Sequence, residues 1–271
     1  DGQGWRLPLR LSTFVAGSSG SGKSSLIWCL VFGLAPGVRS GLVRLYGIDL
    51  KGGMELTMGR ELFTRYAQQP AQAVGLLESA AADLQRRAAR LAGRTRQHAP
   101  SATDPLVVLI IDELAALVAY LPDRDLTKRA EAALNIILSQ GRAVGYVAVA
   151  FLQDPRKETV RNRHLFPQSL GLRLKDREEV AMVLGEGAIA AGAACHKIST
   201  STPGVGYVLG EDGRPVKVRA GHVTDQMIRA VATTFATPVR ESVEVPPASA
   251  ESPAPRRRSP RANSRQEARR G

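Results

Sequence analysis

The stretch Gly17-Ser18-Ser19-Gly20-Ser21-Gly22-Lys23-Ser24 decides the fold, because it has the complete form G-x-x-x-x-G-K-S. Its three glycines allow backbone conformations that turn successive N–H groups toward a single anion. The apolar segment 12–16 before it predicts a strand, and the apolar segment 26–32 after it predicts a buried helix. A strand, this loop and a helix N-terminus in that order predict a phosphate-binding loop. A glycine- and serine-rich turn that matches by chance is the alternative, and the flanking elements disfavour it.

The loop supplies the first candidate residues for binding a nucleotide. Lys23 is expected to neutralise the β- and γ-phosphate oxygens, and the Ser24 hydroxyl is expected to ligate Mg²⁺. The remaining residues are expected to surround the phosphates, chiefly with backbone N–H groups. The full candidate set for the nucleotide is Gly17, Ser18, Ser19, Gly20, Ser21, Gly22, Lys23, Ser24 and Ser25.

The rest of the chain reads as alternating strands and helices, which predicts an α/β fold around a mainly parallel sheet. Strands are predicted over 12–16, 41–50, 63–67, 106–111, 145–152 and 169–174, with a hairpin over 205–219. Helices are predicted over 71–93, 126–142, 156–163, 176–184 and 224–235. We expect one folded domain over 1–237 and a disordered, basic, Pro- and Arg-rich tail over 238–271.

Two acids and an amide follow predicted core strands directly. Asp112 and Glu113 come after the most hydrophobic strand, and Gln153 ends the next one. Because the carboxyl ends of parallel strands share one edge of the sheet, these residues should lie near the loop. Asp112 is expected to hold Mg²⁺, Glu113 to polarise the attacking water and Gln153 to sense the γ-phosphate. A helix cap at Asp112 and a plain surface turn at Gln153 are the alternatives.

The amino-acid composition indicates the class of binding partner and the cellular compartment. The 271 residues carry 37 Lys and Arg against 25 acids, a net charge of +12, which favours a polyanionic partner, nucleic acid first. The two cysteines suit a reducing cytoplasm, and the histidines lack metal-ligand spacing.

The arginines between 86 and 96 are expected to form a solvated helix face, with a DNA-facing surface as the alternative. The arginine tract 256–258 is expected either to contact phosphates or only to increase solubility. No apolar run is long enough to span a membrane. The start at Asp1 leaves open whether the chain is a piece of a longer protein.

These motifs, in their order, resemble the motor domain of the FtsK/SpoIIIE family of DNA translocases, in particular its actinobacterial conjugative, TraB-like branch. The resemblance covers roughly 5–235. The motifs that carry it are 13–17, 20–24, Asp49-Leu50-Lys51-Gly52-Gly53, 110–113, Gly141-Arg142-Ala143-Val144-Gly145, Leu152-Gln153-Asp154-Pro155, Arg173 in 171–174, and Leu184-Gly185-Glu186-Gly187.

The resemblance implies a RecA-like P-loop NTPase that forms a homohexameric ring around double-stranded DNA and hydrolyses ATP with Mg²⁺. It implies that Asp112 and Glu113 form the Walker B pair and that Gln153 is the sensing glutamine. The implied function is an ATP-dependent, DNA-stimulated translocase for plasmid or conjugative transfer. The implied location is the cytoplasm at the inner face of the cell membrane, reached through a membrane-anchored partner or an N-terminal membrane segment outside this chain.

The chain departs from the family pattern at two positions. Asp154 stands where the family commonly has an arginine, and Ser169 stands where it often has another. The arginine that serves a neighbouring subunit's ATP is therefore open between Arg142 and Arg173. Two rival functions remain: an ABC-type ATPase, which would need a signature motif that 95–111 lacks, and a nucleotide-dependent adaptor, which could dispense with Glu113.

Overall fold

The computed structural model describes residues 4–155, 164–210 and 212–243, and these form one eight-stranded sheet in the order β3-β2-β4-β5-β1-β6-β7-β8. Strands β1 to β6 are parallel, and β7 and β8 add an antiparallel hairpin at one side. The predicted α/β fold with a mainly parallel sheet is confirmed. The strands are β1 Thr13–Ala16, β2 Val43–Ile48, β3 Phe63–Ala67, β4 Leu106–Ile111, β5 Tyr146–Leu152, β6 Gln168–Gly171, β7 Val205–Leu209 and β8 Pro215–Arg219.

The helices agree with the sequence pattern for the long elements. They are α1 Lys23–Arg39, α2 Pro70–Leu91, α3 Leu114–Val118, α4 Arg124–Val144, α5 Arg177–Leu184, α6 Glu186–Ala190 and α7 Asp225–Thr234. Helices α3 and α6, with 3₁₀ turns at Thr57–Leu62 and Cys195–Lys197, were not predicted. Each is too short to show a helical period in the sequence. The helix predicted over 156–163 lies outside the described residues.

Helices cover both faces of the sheet and give it two apolar cores. Along β1, Phe14 and Ala16 face the core beneath α2 and α4, whereas Val15 faces the core beneath α1 and α7. Both sides of the central strands are therefore buried, which explains why β4 and β5 are continuous apolar runs. Among the described residues, none of the helices combines the length and the apolar character that a membrane crossing requires.

The register of the parallel strands brings their carboxyl ends to one level. Ile48 of β2 pairs with Ile111 of β4, and Ala16 of β1 pairs with Leu152 of β5. The residues that follow these four strands therefore converge at one edge of the sheet, where ligands of open parallel sheets bind. We call it the carboxyl edge.

A segment after α7 runs along the outer edge of β3. The Thr237 N–H donates to Glu61 O at 2.8 Å, and the Glu241 N–H donates to Thr64 O at 2.9 Å. The Glu241 carboxylate pairs with Arg44 at 3.0 Å and with Arg65 at 2.6 Å. The segment thus covers an otherwise unpaired strand edge. The rest of the predicted tail, 244–271, lies outside the described residues.

The arginines predicted to form a solvated face do not all do so. Arg87 is only 4% exposed. Its guanidinium donates to Pro105 O at 2.8 Å and to Val144 O at 3.0 Å, and it lies 2.8 Å from the Asp104 carboxylate. The expectation of a solvated face was wrong for Arg87, because an acid and two backbone carbonyls compensate the burial of its charge.

We expect Arg87→Ala to lower the free energy of unfolding by about 3–5 kcal/mol, because it leaves buried acceptors without their donor. Arg86→Ala is the matched control, since that side chain is 67% exposed. It should cost less than about 0.5 kcal/mol. Urea unfolding followed by circular dichroism measures both, and equal losses would contradict the role given to Arg87.

Candidate nucleotide-binding site

The predicted phosphate-binding loop joins β1 to α1 at the carboxyl edge. The Gly17 N–H donates to Leu152 O at 3.0 Å, and the Ser18 N–H donates to Arg173 O at 2.9 Å, which ties the loop to the strands on both sides. Gly20 and Gly22 have φ of 68° and 95°, a region that favours glycine. Gly22 is also the N-cap of α1, so the positive end of that helix points at the loop.

A second loop supports the phosphate-binding loop from behind. The Gly204 N–H donates to Ser21 O at 2.8 Å, and a Cβ added at Gly22 would overlap the backbone nitrogen of Gly204. The close approach of two backbones requires glycine at position 22 in addition to its φ. The glycines of the motif therefore shape the loop and also allow it to pack against 203–204.

Lys23 turns back over its own loop. Its ammonium donates to Gly17 O at 2.6 Å and to Ser18 O at 3.3 Å. Burial lowers the pKa of Lys23, while the carboxylates of Glu113, Asp112 and Glu55 oppose that shift. The cation and these acids thus act on each other across a single site.

The environment of Asp112 opposes ionisation of its carboxyl group. It follows β4 beside Asp49, which follows β2, and the Asp112 N–H donates to Ile48 O at 3.1 Å. Asp112 is 8% exposed, and its carboxylate accepts no hydrogen bond from any residue that the structure describes. Burial, and then repulsion by Asp49, raise the pKa of Asp112 to about 7. The capping alternative is not supported, because the N-cap of α3 is Glu113 and it makes no side-chain cap.

Glu55 is a functional candidate that sequence reasoning missed. The Ser24 hydroxyl donates to Glu55 Oε2 at 2.5 Å, and the Trp28 indole donates to Oε1 at 3.1 Å. Asp49 places Glu55 by accepting from the N–H groups of Glu55 and Leu56, both at 2.9 Å. The Asp49 motif was visible in the sequence, but its loop hydrogen bonds carry no sequence signal.

Glu113 is held by two partners. Its Oε2 lies 2.9 Å from the Lys51 ammonium, and its Oε1 accepts from the Gln153 N–H at 3.3 Å. Asp49 in turn fixes Lys51, because its Oδ1 accepts from the Lys51 N–H at 3.2 Å. The Glu113 side chain is 7% exposed and that of Lys51 is 45% exposed, so the pair spans the boundary between core and solvent.

Most of the candidate residues line one cleft of about 410 Å³, which includes Lys23, Ser24, Asp112 and Gln153. An adjoining cavity of about 630 Å³ is lined by Glu113, and it shares Ser19, Lys51 and Gln153 with the first. Gly17 and Ser21 shape the loop without lining either cavity, and Ser25 also lies outside both. The structure therefore brings Lys23, Ser24, Asp112, Glu113 and Gln153 to one place, as predicted.

The residues present fit a magnesium ion that arrives with phosphates. No group of three or more acids, histidines or cysteines within the described ranges forms a metal cage. Mg²⁺ commonly uses one or two carboxylates together with phosphate oxygens and waters, so a cage is not required. Asp112 offers a carboxylate without hydrogen-bond donors, and the Ser24 oxygen keeps lone pairs after its hydroxyl donates to Glu55.

The two arginines predicted as candidates for a neighbour's ATP lie at different edges. The Arg173 guanidinium donates to Ser19 O at 2.7 Å and so contacts its own chain's loop. Arg142 lies in the last turn of α4, just before β5, which is the amino-terminal edge of the sheet. Of these two arginines, Arg173 is the one that lies near the candidate nucleotide of its own chain.

Comparison with known proteins shows which family this chain resembles. Residues 11–104 match the sequence profile of the FtsK/SpoIIIE family. Transfer protein TraSA of Streptomyces ambofaciens is 30% identical over 230 residues, which cover 77% of this chain and 54% of TraSA. The resemblance to the FtsK/SpoIIIE family is confirmed. The chain spans about half the length of this curated relative.

Two solved structures share the fold. The pCW3 conjugation coupling protein TcpA, solved with ATPγS, superposes with a TM-score of 0.68 at 19% identity, covering 84% of this chain and 66% of TcpA. The cytoplasmic domain of the Type VII secretion ATPase EccC of Thermomonospora curvata gives 0.67 at 21% identity, covering 88% and 29%. The fold is thus that of P-loop ATPases.

The raised pKa of Asp112 gives a pH-dependent stability with a definite sign. The folded state holds the Asp112 proton up to about pH 7, whereas the ordinary value is 3.8. This contribution to stability is therefore complete at low pH and is lost as the pH rises through about 7.

In metal-free buffer, Asp112→Asn should abolish this loss, because the neutral amide removes the buried negative charge. We expect the wild type to lose about 3 kcal/mol more than the variant between pH 5 and pH 8. Urea unfolding at a series of pH values measures the difference. Parallel pH profiles for the two proteins would contradict the assignment.

Proposed function

We propose that the chain is a Mg²⁺-dependent ATPase domain that drives DNA transfer, as a ring motor on double-stranded DNA. The observation that carries the proposal is the convergence of the phosphate-binding loop with Asp112 and Glu113 in two adjoining cavities at the carboxyl edge. Residues Gly17 to Ser25 would surround the triphosphate, and Lys23 would move from its own loop carbonyls to the β- and γ-oxygens. That exchange replaces neutral acceptors with charged ones, which strengthens each hydrogen bond.

The acids of the cleft take different roles. Ser24 and Asp112 would hold Mg²⁺, which supplies charge neutralisation to the leaving phosphates when it is bound. Glu113 would accept a proton from the attacking water, because its carboxylate is fixed from two sides and lies beside the loop. Gln153, which is exposed and lines both cavities, would contact the γ-phosphate through its amide.

Lys51 is proposed as the residue that orients Glu113. It is anchored at its backbone by Asp49 and at its ammonium by Glu113, so it links the ends of β2 and β4. A carboxylate held by a cation in a largely buried site keeps one direction toward the cleft. Glu55 is proposed to do the same for the Ser24 hydroxyl.

The DNA and ring parts of the proposal rest on other support. The net charge of +12 suits a polyanionic partner, and the relatives' names refer to transfer and to conjugation coupling. We propose a homohexamer in the cytoplasm at the inner face of the membrane, with a membrane-anchored partner or a further segment as the link. The folded ATPase domain is proposed to cover 1–237, followed by a basic tail.

Steady-state ATP hydrolysis with and without duplex DNA tests the proposal. Glu113→Gln should lower kcat by about 10²–10⁴-fold, because the water loses its base, and should leave the affinity for a fluorescent ATP analogue near that of the wild type. The wild-type rate should rise when duplex DNA is added. Equal turnover of wild type and Glu113→Gln would favour an ATP-binding adaptor, and a hexamer without DNA stimulation would contradict the motor.

Lys51→Ala should lower kcat by about tenfold or more while the KM for ATP stays within about twofold, because the side chain orients the base. Lys51→Arg should restore part of the rate, since it keeps a cation within reach of Glu113. Lys128→Ala is the control for loss of an exposed positive charge on α4, outside the lining of both cavities. A rise in KM with unchanged kcat would show that Lys51 binds ATP and does not orient Glu113.

A further inference from the structure

A basic cavity lies at the opposite edge of the sheet from the nucleotide cleft. It measures about 670 Å³, and its lining comes from the end of α2, the loop before β4, the end of α4 and the segment before β1. Arg10, Arg96 and Arg142 line it together with the polar side chains of Gln97 and Gln140. Because β1, β4 and β5 all begin here, the cavity lies at the amino-terminal edge, a full strand length from the phosphate-binding loop.

Two arginines of this cavity, Arg96 and Arg142, supply positive charge that no described carboxylate cancels. None of the described residues that line it is acidic. Arg96 and Arg142 are exposed, and no carboxylate of the described ranges pairs with either. The nearby acid Asp104 is already engaged by Arg87 at 2.8 Å and by Arg90 at 3.1 Å. Both guanidinium groups therefore keep their donors for an anion from outside.

Backbone carbonyls at the end of α4 do not compete for these arginines. A helix C-terminus normally presents unpaired carbonyls that repel anions. Here the His98 N–H donates to Ala143 O at 3.1 Å, and the Arg87 guanidinium donates to Val144 O at 3.0 Å. The Gly145 N–H donates to Gly141 O. Three of the last four carbonyls of the helix are thus paired within the chain, and the positive field of the arginines remains.

The wall of the cavity is built by a buried histidine. The His98 side chain is 3% exposed, and its Nε2 lies 2.8 Å from Asp104 O. A Cβ at Gly145, whose φ is 76°, would overlap the His98 ring. Burial lowers the pKa of His98, so the ring is neutral and the charge of the cavity comes from its arginines. A preformed wall reduces the ordering cost of binding a ligand.

We propose that this cavity binds backbone phosphates of duplex DNA, as a contact separate from the site of ATP hydrolysis. The planar guanidinium groups of Arg96 and Arg142 suit phosphate oxygens, and the amides of Gln97 and Gln140 add neutral donors. The choice of DNA over a free phosphate compound rests on the proposed DNA-transfer function. The contact is independent of base sequence, because it reaches only the sugar-phosphate backbone.

Fluorescence anisotropy of a labelled 30-base-pair duplex, titrated with the protein at several salt concentrations, tests the proposal. Arg96→Ala combined with Arg142→Ala should weaken binding about tenfold or more at low salt. The negative slope of log affinity against log salt should become less steep by about 2, because each lost phosphate contact reduces its magnitude by about 0.9. Arg39→Ala combined with Arg229→Ala is the matched control, since both arginines are exposed and lie on α1 and α7. The control pair should change affinity and slope by much less.

Two further arms separate the possible ligands and the two proposals. Adding ATP or inorganic phosphate at millimolar concentration should leave the contribution of Arg96 and Arg142 intact, because small anions lack the spacing of a duplex backbone. Loss of that contribution would instead assign the cavity to a free phosphate compound and overturn the proposal. Equal weakening in the test and control pairs would overturn it as well. Failure of the wild type to bind duplex DNA at all would count against the proposed DNA-transfer function, whereas normal wild-type binding with an unaffected test pair would reject this cavity alone.

Discussion

The parallel pairing of β2, β4, β5 and β1 is the constraint on which the rest of the structure depends. Backbone hydrogen bonds set the register, so that the strands end within two residues of the same level. Every residue that follows a strand then enters the same edge: the loop after β1, Asp49 after β2, Asp112 after β4 and Gln153 after β5. A slip of one residue in β4 would turn Asp112 to the other face of the sheet. The site is therefore a consequence of the ladder as much as of its side chains.

The same convergence concentrates like charges at the cleft. Asp49, Glu55, Asp112 and Glu113 approach one another, and the cations Lys23 and Lys51 oppose their mutual repulsion. The protein relieves part of this repulsion by specific pairing: Asp49 accepts backbone N–H groups, Glu55 accepts from Ser24 and Trp28, and Glu113 pairs with Lys51. Asp112 receives no such partner from the residues that the structure describes. Destabilisation at a single acid is the pattern expected where a functional site opposes stability.

Much of the site could be predicted from the sequence, because it depends on strand ends and on a loop with a fixed spacing. The loop at 17–24, the acids after β4 and Gln153 after β5 are local patterns, and each lies where the alternation of elements places it. Glu55 could not be found this way. The position of Glu55 depends on the hydrogen bonds that its own N–H group and that of Leu56 donate to Asp49. The sequence of residues 50–56 contains no pattern that predicts these hydrogen bonds.

Burial of charge was equally invisible to periodicity. Arg87 occupies a helical position whose neighbours in the sequence are polar, so the pattern indicated solvent. Its partners Asp104 and Pro105 lie in the loop before β4, and its partner Val144 lies at the end of α4. The basic cavity at the amino-terminal edge arises in the same way, since Arg10, Arg96 and Arg142 belong to separate segments. Local composition predicts the elements, whereas long-range pairing decides which charges are satisfied and which remain available.

The central claim is that a triphosphate and its divalent ion lie between the phosphate-binding loop and Asp112. A crystal structure with Mn²⁺ and ATPγS tests it most directly, because anomalous scattering locates the manganese without interpretation of the surrounding density. The account predicts one strong anomalous peak in the cleft, at ligand distance from the Ser24 hydroxyl and beside the Asp112 carboxylate, with the Lys23 ammonium moved onto the phosphates. A nucleotide bound elsewhere, or a metal peak remote from both Ser24 and Asp112, would contradict it.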